Sequence, residues 1–251
     1  MSRFFDFNKK LSMKLYSIFP HSKYGIFADY INTVRSNISS DAQQYIVDVG
    51  AGKRCHYVNG LERTYLTIAG IDISEEELKY NTDLDEKIIC DVTKEILLPY
   101  NTADIVTSRS VIEHLRDTEQ FIINAGNILK EGGLFISFFP GKYSLFAILN
   151  QILPTSVSKL LLEKVHGNQG TMGFKAYYDK CYYSKFIPML EKHGFNIVEV
   201  KLSYRSSSYF AFFTPLFLVS AIYEYAISAL KIKNLSSYIL VIARKKKNSG
   251  I

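Results

Sequence analysis

YIVDVGAGKR, the stretch from Tyr45 to Arg54, decides how the rest of the chain is interpreted. Its first half is apolar and β-branched, which is typical of a buried parallel strand. Gly50 and Gly52 follow, and glycine lets the backbone turn tightly and approach a ligand closely. Asp48 stands one residue before the end of the predicted strand. Because ligands of open α/β sheets bind beyond the carboxyl ends of the strands, this turn is predicted to face a ligand.

Further apolar strands follow, and acidic residues stand at the ends of two of them. TIAGIDIS contains Asp72, 24 positions after Asp48. A carboxylate about 20 residues beyond such glycines holds the two ribose hydroxyls of a nucleotide. The third predicted strand covers Lys87–Cys90 and is followed by Asp91. ADIVTS and LFISFFP are predicted as the fourth and fifth strands.

Helix signals separate these strands. Ser74 and Glu77 form a capping box that predicts a helix start. The amphipathic pattern that begins at Asp117 predicts a helix closed by Gly132 and Gly133. The segment between Gly52 and the second strand has a poor helical pattern, so we expect a short or irregular helix there.

The last third of the chain adds another helix and two strands. YYSKFIPMLEKHGF predicts a helix with Ser184 as its cap and Gly194 as its end. FNIVEVKLSY and SYILVIARKK are predicted as the sixth and seventh strands. About 30 residues, from Arg205 to Leu235, separate these two strands, and so long an insertion in a compact domain usually has a function.

Taken in order, these motifs resemble the class I S-adenosylmethionine-dependent methyltransferases, in particular the domain of the ubiquinone/menaquinone-methylase type. The resemblance covers roughly residues 41–140 and the sixth strand. It implies an α/β fold, a Rossmann-like three-layer sandwich whose seven-stranded sheet is mostly parallel with an antiparallel last strand. It also implies S-adenosyl-L-methionine as the cofactor.

The resemblance further implies which residues form the site. His114, in the E-H pair after the fourth strand, is the candidate base that removes a proton from the methyl acceptor, and Glu113 beside it is interpreted as structural. No metal site is expected, because no metal-binding motif occurs in the sequence. The residues expected to bind the cofactor lie at the strand ends: Asp48, Gly50, Gly52, Asp72, Ile73, Asp91, Val92, Ser108 and Val111.

The chain is expected to have one domain with additions. Residues 1–40 are predicted to form an N-terminal helical cap, and 41–251 the methyltransferase domain. Two inserts interrupt that domain: 143–183, interpreted as a substrate cap, and 205–235, an apolar insert. Within the second, 209–230 is about as long as a membrane span, but the strands on either side must join one sheet, so a single crossing is excluded. We expect contact with a membrane surface or, alternatively, a helix packed on the domain.

Charge is unevenly distributed along the sequence. Residues 1–40, 41–142 and 143–251 carry net charges of +4, −7 and +9. The two basic parts are also rich in apolar residues, which favours an anionic membrane surface over nucleic acid as the partner. Three cysteines without metal-like spacing indicate reduced thiols and a cytoplasmic protein, peripheral to the membrane if the basic parts bind lipid. The expected acceptor is a small molecule, a glycan or a lipid-linked group, and the sequence does not indicate an oligomeric state.

Three alternatives compete with this interpretation. A nicotinamide-dependent oxidoreductase would carry a third glycine where Cys55 stands. A non-catalytic relative that only binds a nucleoside is disfavoured by the intact acidic residues and glycines. A nucleic-acid base methylase would need a motif that receives a flipped base, and LPY at Leu98–Tyr100 is only superficially similar to one.

Overall fold

The computed structural model describes residues 2–18, 25–94, 98–152 and 174–247 of the 251-residue chain. In this part of the chain seven strands form one sheet in the order β3-β2-β1-β4-β5-β7-β6. The neighbouring pairs among β1 to β5 are parallel, whereas β7 runs antiparallel to both β5 and β6. The strands are β1 (Gln44–Val49), β2 (Leu66–Asp72), β3 (Glu86–Ile89), β4 (Ala103–Arg109), β5 (Leu129–Pro140), β6 (Phe195–Ser203) and β7 (Tyr238–Lys245).

Helices cover both faces of this sheet. They are α1 (Ser2–Tyr16), α2 (Ile26–Ser36), α3 (Glu75–Lys79), α4 (Thr118–Ile128), α5 (Leu145–Ile152), α6 (Tyr183–Lys192) and α7 (Thr214–Ala229). Successive residues of a strand point to opposite faces, so Ile46 packs with Tyr30 and Val34 of α2, while Val47 packs with Phe121 of α4. The predicted Rossmann-like three-layer sandwich is therefore confirmed, and burial on both faces explains why the strands are apolar throughout.

The connection from β1 to β2 contains no helix, and all of its residues are described. Cys55, Tyr57 and Val58 are instead buried against the α2 face of the sheet, where a crossover helix would otherwise pack. The short or irregular helix expected between Gly52 and β2 is therefore absent, and that expectation was wrong.

The predicted role of Gly132 and Gly133 was wrong. Helix α4 already ends at Ile128, and Leu129 pairs with Ala103 in the sheet. Between Leu129 and Leu134 the register of β4 with β5 shifts. Gly132, which lies in this irregular part of β5, adopts a left-handed φ of 77°. The two glycines therefore allow the irregularity in β5. Glycine is common at such irregularities in strands, just as it is at the ends of helices.

Ser184 is not the cap of α6. The helix begins at Tyr183 with Tyr182 at the N-cap position. The Ser184 N–H donates to Asn234 Oδ1 at 2.9 Å, and Asn234 Nδ2 donates to Ser184 Oγ at 3.1 Å. Ser184 thus fastens α6 to the end of the 205–235 insert.

The predicted additions surround the sheet. α1 and α2 belong to the predicted cap 1–40, and α7 occupies most of the insert 205–235 and packs against α1. Residues 153–173, in the predicted substrate cap, lie outside the described residues. The domain boundaries stay a prediction. Across the described segments, no helix has both the length and the apolar character needed to cross a membrane.

Candidate active site

The glycine turn after β1 is tied to its neighbours by the backbone. Gly50 and Gly52 adopt left-handed φ angles of 67° and 49°, which glycine adopts at little cost. The Gly50 N–H donates to Ile71 O at 2.7 Å, which joins the turn to the end of β2. A side chain at Gly50 would overlap Val111 Cγ2. The turn therefore leaves no room for a β-carbon and holds Val111 against the backbone.

Asp72 lies beside this turn, as the sequence predicts. Gly52 N–H donates to its Oδ2 at 3.0 Å, and Ser74 N–H donates to its Oδ1 at 2.9 Å. Each carboxylate oxygen has two lone pairs, so both oxygens keep acceptor capacity after these contacts. The two backbone donors thus orient a partly exposed carboxylate that can still accept two ribose hydroxyls.

Asp48 has a different environment, because it is buried under the turn with 5% of its surface exposed. Burial raises the pKa of Asp48 to about 6, although nearby Cys55, Tyr57 and Arg109 act to lower it. The carboxyl group faces Cys55 and Tyr57, so it supports the turn from inside the protein. Its predicted contact with the cofactor stays a prediction.

Asp91 follows β3 at the same edge of the sheet, and its carboxylate accepts hydrogen bonds from Thr93 N at 3.0 Å and Thr93 Oγ1 at 2.7 Å. Partial burial acts to raise its pKa, but the Thr93 bonds and the charge of Lys94 hold the pKa below the ordinary value. Asp91 is thus ionised at neutral pH and can accept a hydrogen bond. Val92 is buried in the core, and Asn124 Nδ2 donates to its carbonyl at 2.9 Å.

The remaining predicted cofactor residues differ in exposure. Ile73 is 60% exposed at the rim beside Asp72. Ser108 is fully buried at the end of β4, and its hydroxyl pairs with Ser137 Oγ at 2.7 Å. Ser110 then takes a left-handed φ of 55°, which turns the chain sharply toward Val111. Ser108 therefore acts within the sheet, and Val111 and Ile73 are the positions nearest the rim.

His114 lies in a short 3-10 turn, Ile112–His114, directly after this bend. Its Nδ1 lies 3.2 Å from Lys175 O, and a carbonyl oxygen accepts only, so Nδ1 carries the proton and Nε2 keeps a lone pair. Burial lowers the pKa of His114, so the ring is neutral at neutral pH. The Nε2 atom lies 3.9 Å from Glu113 Oε1. A neutral ring with a free Nε2 is the state that a general base requires.

Glu113 is more unusual than the sequence indicates. Its side chain is buried, and Oε2 has no hydrogen-bond partner among the described residues. Burial raises the pKa of Glu113 to about 8. A buried polar atom without a partner is rare and costly in folded proteins, and strain, a catalytic role or a bound water or ion can account for it. No motif distinguishes such a residue from a structural glutamate in the sequence.

Residues 47–137 match the model of a protein family described as "Methyltransferase domain". This segment contains the glycine turn, the three acidic residues and the E-H pair. It is a class I S-adenosylmethionine-dependent methyltransferase domain. The methyltransferase binds S-adenosyl-L-methionine as its cofactor, as predicted, and the nicotinamide alternative is wrong.

Solved structures share the fold of this methyltransferase at low sequence identity. An S-adenosylmethionine-dependent methyltransferase from Mesorhizobium loti is 17% identical with a TM-score of 0.55, over 85% of this chain and 96% of that one. A geranyl diphosphate methyltransferase is 12% identical with a TM-score of 0.54, over 86% and 84% of the two chains. Phosphoethanolamine N-methyltransferase 2 from Haemonchus contortus is 16% identical with a TM-score of 0.51, over 88% and 53%. No curated protein matches the chain.

The two inserts of the methyltransferase meet at Glu113. The N–H groups of Tyr177 and Tyr178, in the first insert, donate to Glu113 O at 2.7 and 3.0 Å. Tyr209, in the second insert, forms a hydroxyl–hydroxyl hydrogen bond with Tyr238 of β7. Proximity to Glu113 contributes to the raised pKa of Tyr178, Tyr209 and Tyr238, although burial contributes more. Tyrosines from three chain segments therefore lie near enough to one carboxyl group for its charge to act on them.

The sequence also suggests Tyr177, Tyr178 and His166 as contacts of the acceptor and Arg109 as a partner of an anionic acceptor. Arg116 Nε donates to Tyr177 Oη at 3.0 Å, and the Arg116 guanidinium lies over the Tyr177 ring. The Arg109 guanidinium lies 5.5 Å from the centre of the Phe27 ring of α2, and its charge acts on both Asp48 and Glu113. His166 lies outside the described residues. In the described part of the chain no group of three potential metal ligands occurs.

Proposed function

We propose that this methyltransferase transfers a methyl group to a small-molecule acceptor that binds where the two inserts meet. The supporting observation is the buried Glu113 carboxyl, whose Oε2 has no partner in the described segments. An acceptor that presents an O–H or N–H group would supply the missing donor. Relatives of the same fold act on small molecules by name, among them geranyl diphosphate and phosphoethanolamine.

We infer that the cofactor is held along the edge formed by β1 to β4. The oriented carboxylate of Asp72 suits the ribose hydroxyls, and the ionised carboxylate of Asp91 suits the adenine amino group. At Gly52 an added β-carbon would meet nothing closer than Glu77 Oε2 at 4.0 Å, so the backbone at that glycine is open to a ligand. The residues proposed to bind the cofactor are Asp48, Gly50, Gly52, Asp72, Ile73, Asp91, Val92, Ser108 and Val111.

The chemistry needs positioning and one proton acceptor. S-adenosyl-L-methionine supplies an electrophilic methyl group on a positively charged sulfur. The protein must hold the acceptor atom in line with that methyl group, and orientation of this kind lowers barriers strongly. His114 is the proposed base, because its Nε2 carries a free lone pair and its ring is neutral. Glu113 Oε1 lies 3.9 Å from Nε2, and because burial raises the pKa of Glu113 to about 8, its carboxyl is protonated at neutral pH and places no charge beside the ring.

Calorimetry with S-adenosyl-L-methionine and its demethylated product tests the cofactor site. We expect saturable binding of both and none of NAD. Failure of both ligands to bind would contradict the assignment of the site. The acceptor is tested by mass spectrometry of small molecules and lipids from a strain lacking the protein, in which one methylated compound should disappear.

We also propose that the apolar segment 209–230 contacts a membrane surface on the cytoplasmic side. The outward face of α7 supports this, since Val219 and Ile222 are 65% and 61% exposed. Such contact would bring the inserts close to a lipid-linked or hydrophobic acceptor. Vesicle flotation before and after deletion of 209–230 tests it, and flotation that survives the deletion would contradict it.

A further inference from the structure

Helix α1 attaches to the protein through a side that carries both polar and apolar contacts. Asn8 and Ser12 are buried, and Asn8 Oδ1 accepts hydrogen bonds from Thr214 N at 3.0 Å and Thr214 Oγ1 at 2.8 Å. Ser12 Oγ donates to Thr214 Oγ1 at 3.2 Å. Tyr16 adds an edge-to-face ring contact with Phe217 at 5.7 Å. Polar contacts to the first residue of α7 thus fix the orientation of α1.

The outward side of the same helix is apolar. Phe4, Phe7 and Leu11 are 56%, 64% and 36% exposed. Their spacing of three and four residues places them in one stripe along the helix. A surface helix normally turns its apolar stripe toward the core and its polar stripe toward water. Helix α1 packs Tyr16 inward but leaves this second apolar stripe exposed to solvent, and an exposed apolar stripe of this kind indicates a binding surface.

Basic residues border this stripe. Lys10 stands three residues after Phe7, and Lys14 stands three residues after Leu11, so both lie along one side of it. With Arg3 and Lys9 the helix carries four basic residues against one acidic residue, Asp6. An apolar stripe bordered by cations suits the interface of an anionic bilayer, where each component adds to binding.

Helix α7 is apolar on both sides, because Phe217 and Ala221 are buried against the domain and apolar residues also face outward. Leu216, Val219 and Ile222 are exposed, whereas Glu224, the one charged residue of the helix, is fully buried. Glu224 accepts hydrogen bonds from Ser206 N and Oγ and from Ser207 Oγ. The charge therefore serves to hold the insert together, and the outward face of α7 is left apolar.

We propose that α1 and the outward face of α7 together bind the surface of an anionic lipid bilayer, with α1 supplying the cations. This inference deepens the membrane contact proposed for 209–230 and rests on it. The described helices are too short or too polar to cross a bilayer, so the two helices lie on it. A second copy of the chain is a poorer occupant, because two basic α1 helices would repel each other.

Flotation with lipid vesicles tests the apolar part of the proposal. The full chain should float with vesicles containing about one-third phosphatidylglycerol and not with pure phosphatidylcholine. The variant Phe4→Ser/Phe7→Ser/Leu11→Ser should lose flotation. These side chains face away from the core, so calorimetry should give an unchanged affinity for S-adenosyl-L-methionine, which separates a lost surface from a lost fold.

The contribution of charge to membrane binding is tested by two matched substitutions on α1. Lys14→Glu should weaken binding to the anionic vesicles by about tenfold or more, since a reversed charge replaces attraction by repulsion at the lipid surface. Lys9→Glu makes the same change two residues from both Phe7 and Leu11, hence on another side of the helix, and should weaken binding less.

Three outcomes would overturn the inference. These are equal binding to neutral and anionic vesicles, equal effects of the two lysine variants, and flotation that survives the triple substitution. Sedimentation velocity tests whether a second copy of the chain occupies this surface instead. A dimer of the unaltered chain that is absent in the triple variant, together with no flotation of the unaltered chain, would assign the surface to a second copy. Failure of S-adenosyl-L-methionine to bind the unaltered chain would instead contradict the cofactor site and leave these results standing.

Discussion

The proposed cofactor edge and the proposed acceptor side of this methyltransferase are built by different means. At the proposed cofactor edge the decisive groups belong to the backbone: a turn with two glycines, and N–H donors that orient Asp72. On the acceptor side they are side chains, with Glu113 among tyrosines that come from distant parts of the sequence. If both sites are as proposed, the difference teaches that residues close in the sequence form the site for a common cofactor, whereas distant chain segments form the site for an individual acceptor.

Replacing Gly50 with alanine should have the largest effect, because it adds steric overlap with Val111 to the strain of a left-handed residue. We expect a loss of about 4 kcal/mol in the free energy of unfolding and no measurable binding of S-adenosyl-L-methionine. Urea unfolding and calorimetry measure both.

Gly60 provides the matched control for that substitution. It has a similar φ of 73°, but an added β-carbon would meet nothing within 4 Å. Gly60→Ala should therefore cost only about 1 kcal/mol, the strain of the left-handed backbone. Equal costs at the two positions would show that Val111 does not constrain the turn.

On the acceptor side, Glu113→Gln should change how stability depends on pH. The folded chain holds the Glu113 proton up to a pKa of about 8, whereas the unfolded chain releases it in the ordinary carboxyl range. The unfolded state thus binds fewer protons in this window, so stability falls as pH rises toward 8. The glutamine variant should therefore lose this pH dependence, and at pH 8 it should be more stable than the unaltered chain by about 3 kcal/mol. This figure uses about 1.4 kcal/mol per unit of pKa shift and allows for relaxation of the folded chain.

Urea unfolding across that pH window measures the effect of Glu113→Gln. Glu131 is exposed, so Glu131→Gln serves as the control and should leave the pH dependence unchanged. Parallel pH profiles for the unaltered chain and Glu113→Gln would mean that Glu113 is ionised without cost, and the comparison between the two regions would lose its basis.

Asp72→Ala should weaken the binding of S-adenosyl-L-methionine by about tenfold, because it removes the acceptor of two ribose hydroxyls and the partner of Gly52 N–H. Calorimetry measures the dissociation constant. Asp72→Asn keeps one acceptor oxygen and should give an intermediate loss. An unchanged affinity in both variants would refute the ribose role.

The smallest effect concerns the cap of α3. Ser74 Oγ accepts a hydrogen bond from Glu77 N at 3.2 Å, so Ser74→Ala should reduce the free energy of unfolding by about 1 kcal/mol. Thermal unfolding is the measurement. Thr64→Ala changes an exposed hydroxyl in a loop and should cost less. A larger loss at Thr64 would contradict the capping role.

The contrast between the two regions also explains what the sequence could predict. The strands of the cofactor edge follow from short apolar runs, and Asp72 follows from its distance to the glycines. Local patterns failed where distant chain segments decide the outcome. Gly132 and Gly133 serve a register shift that depends on β4, and Ser184 bonds to Asn234, 50 residues away. Glu113 became notable only because the folded chain buries it without a partner for Oε2 among the described residues.

The two hydrogen bonds from Tyr177 and Tyr178 to the carbonyl of Glu113 have an evolutionary consequence. They are backbone contacts, so they do not depend on which side chains the first insert carries. If the first insert binds the acceptor, as proposed, descendants of this protein could exchange its sequence, and with it the molecule that is modified, while the attachment point at Glu113 persists. Backbone contacts of this kind would allow the acceptor to change during evolution without changes in the site that binds the methyl donor.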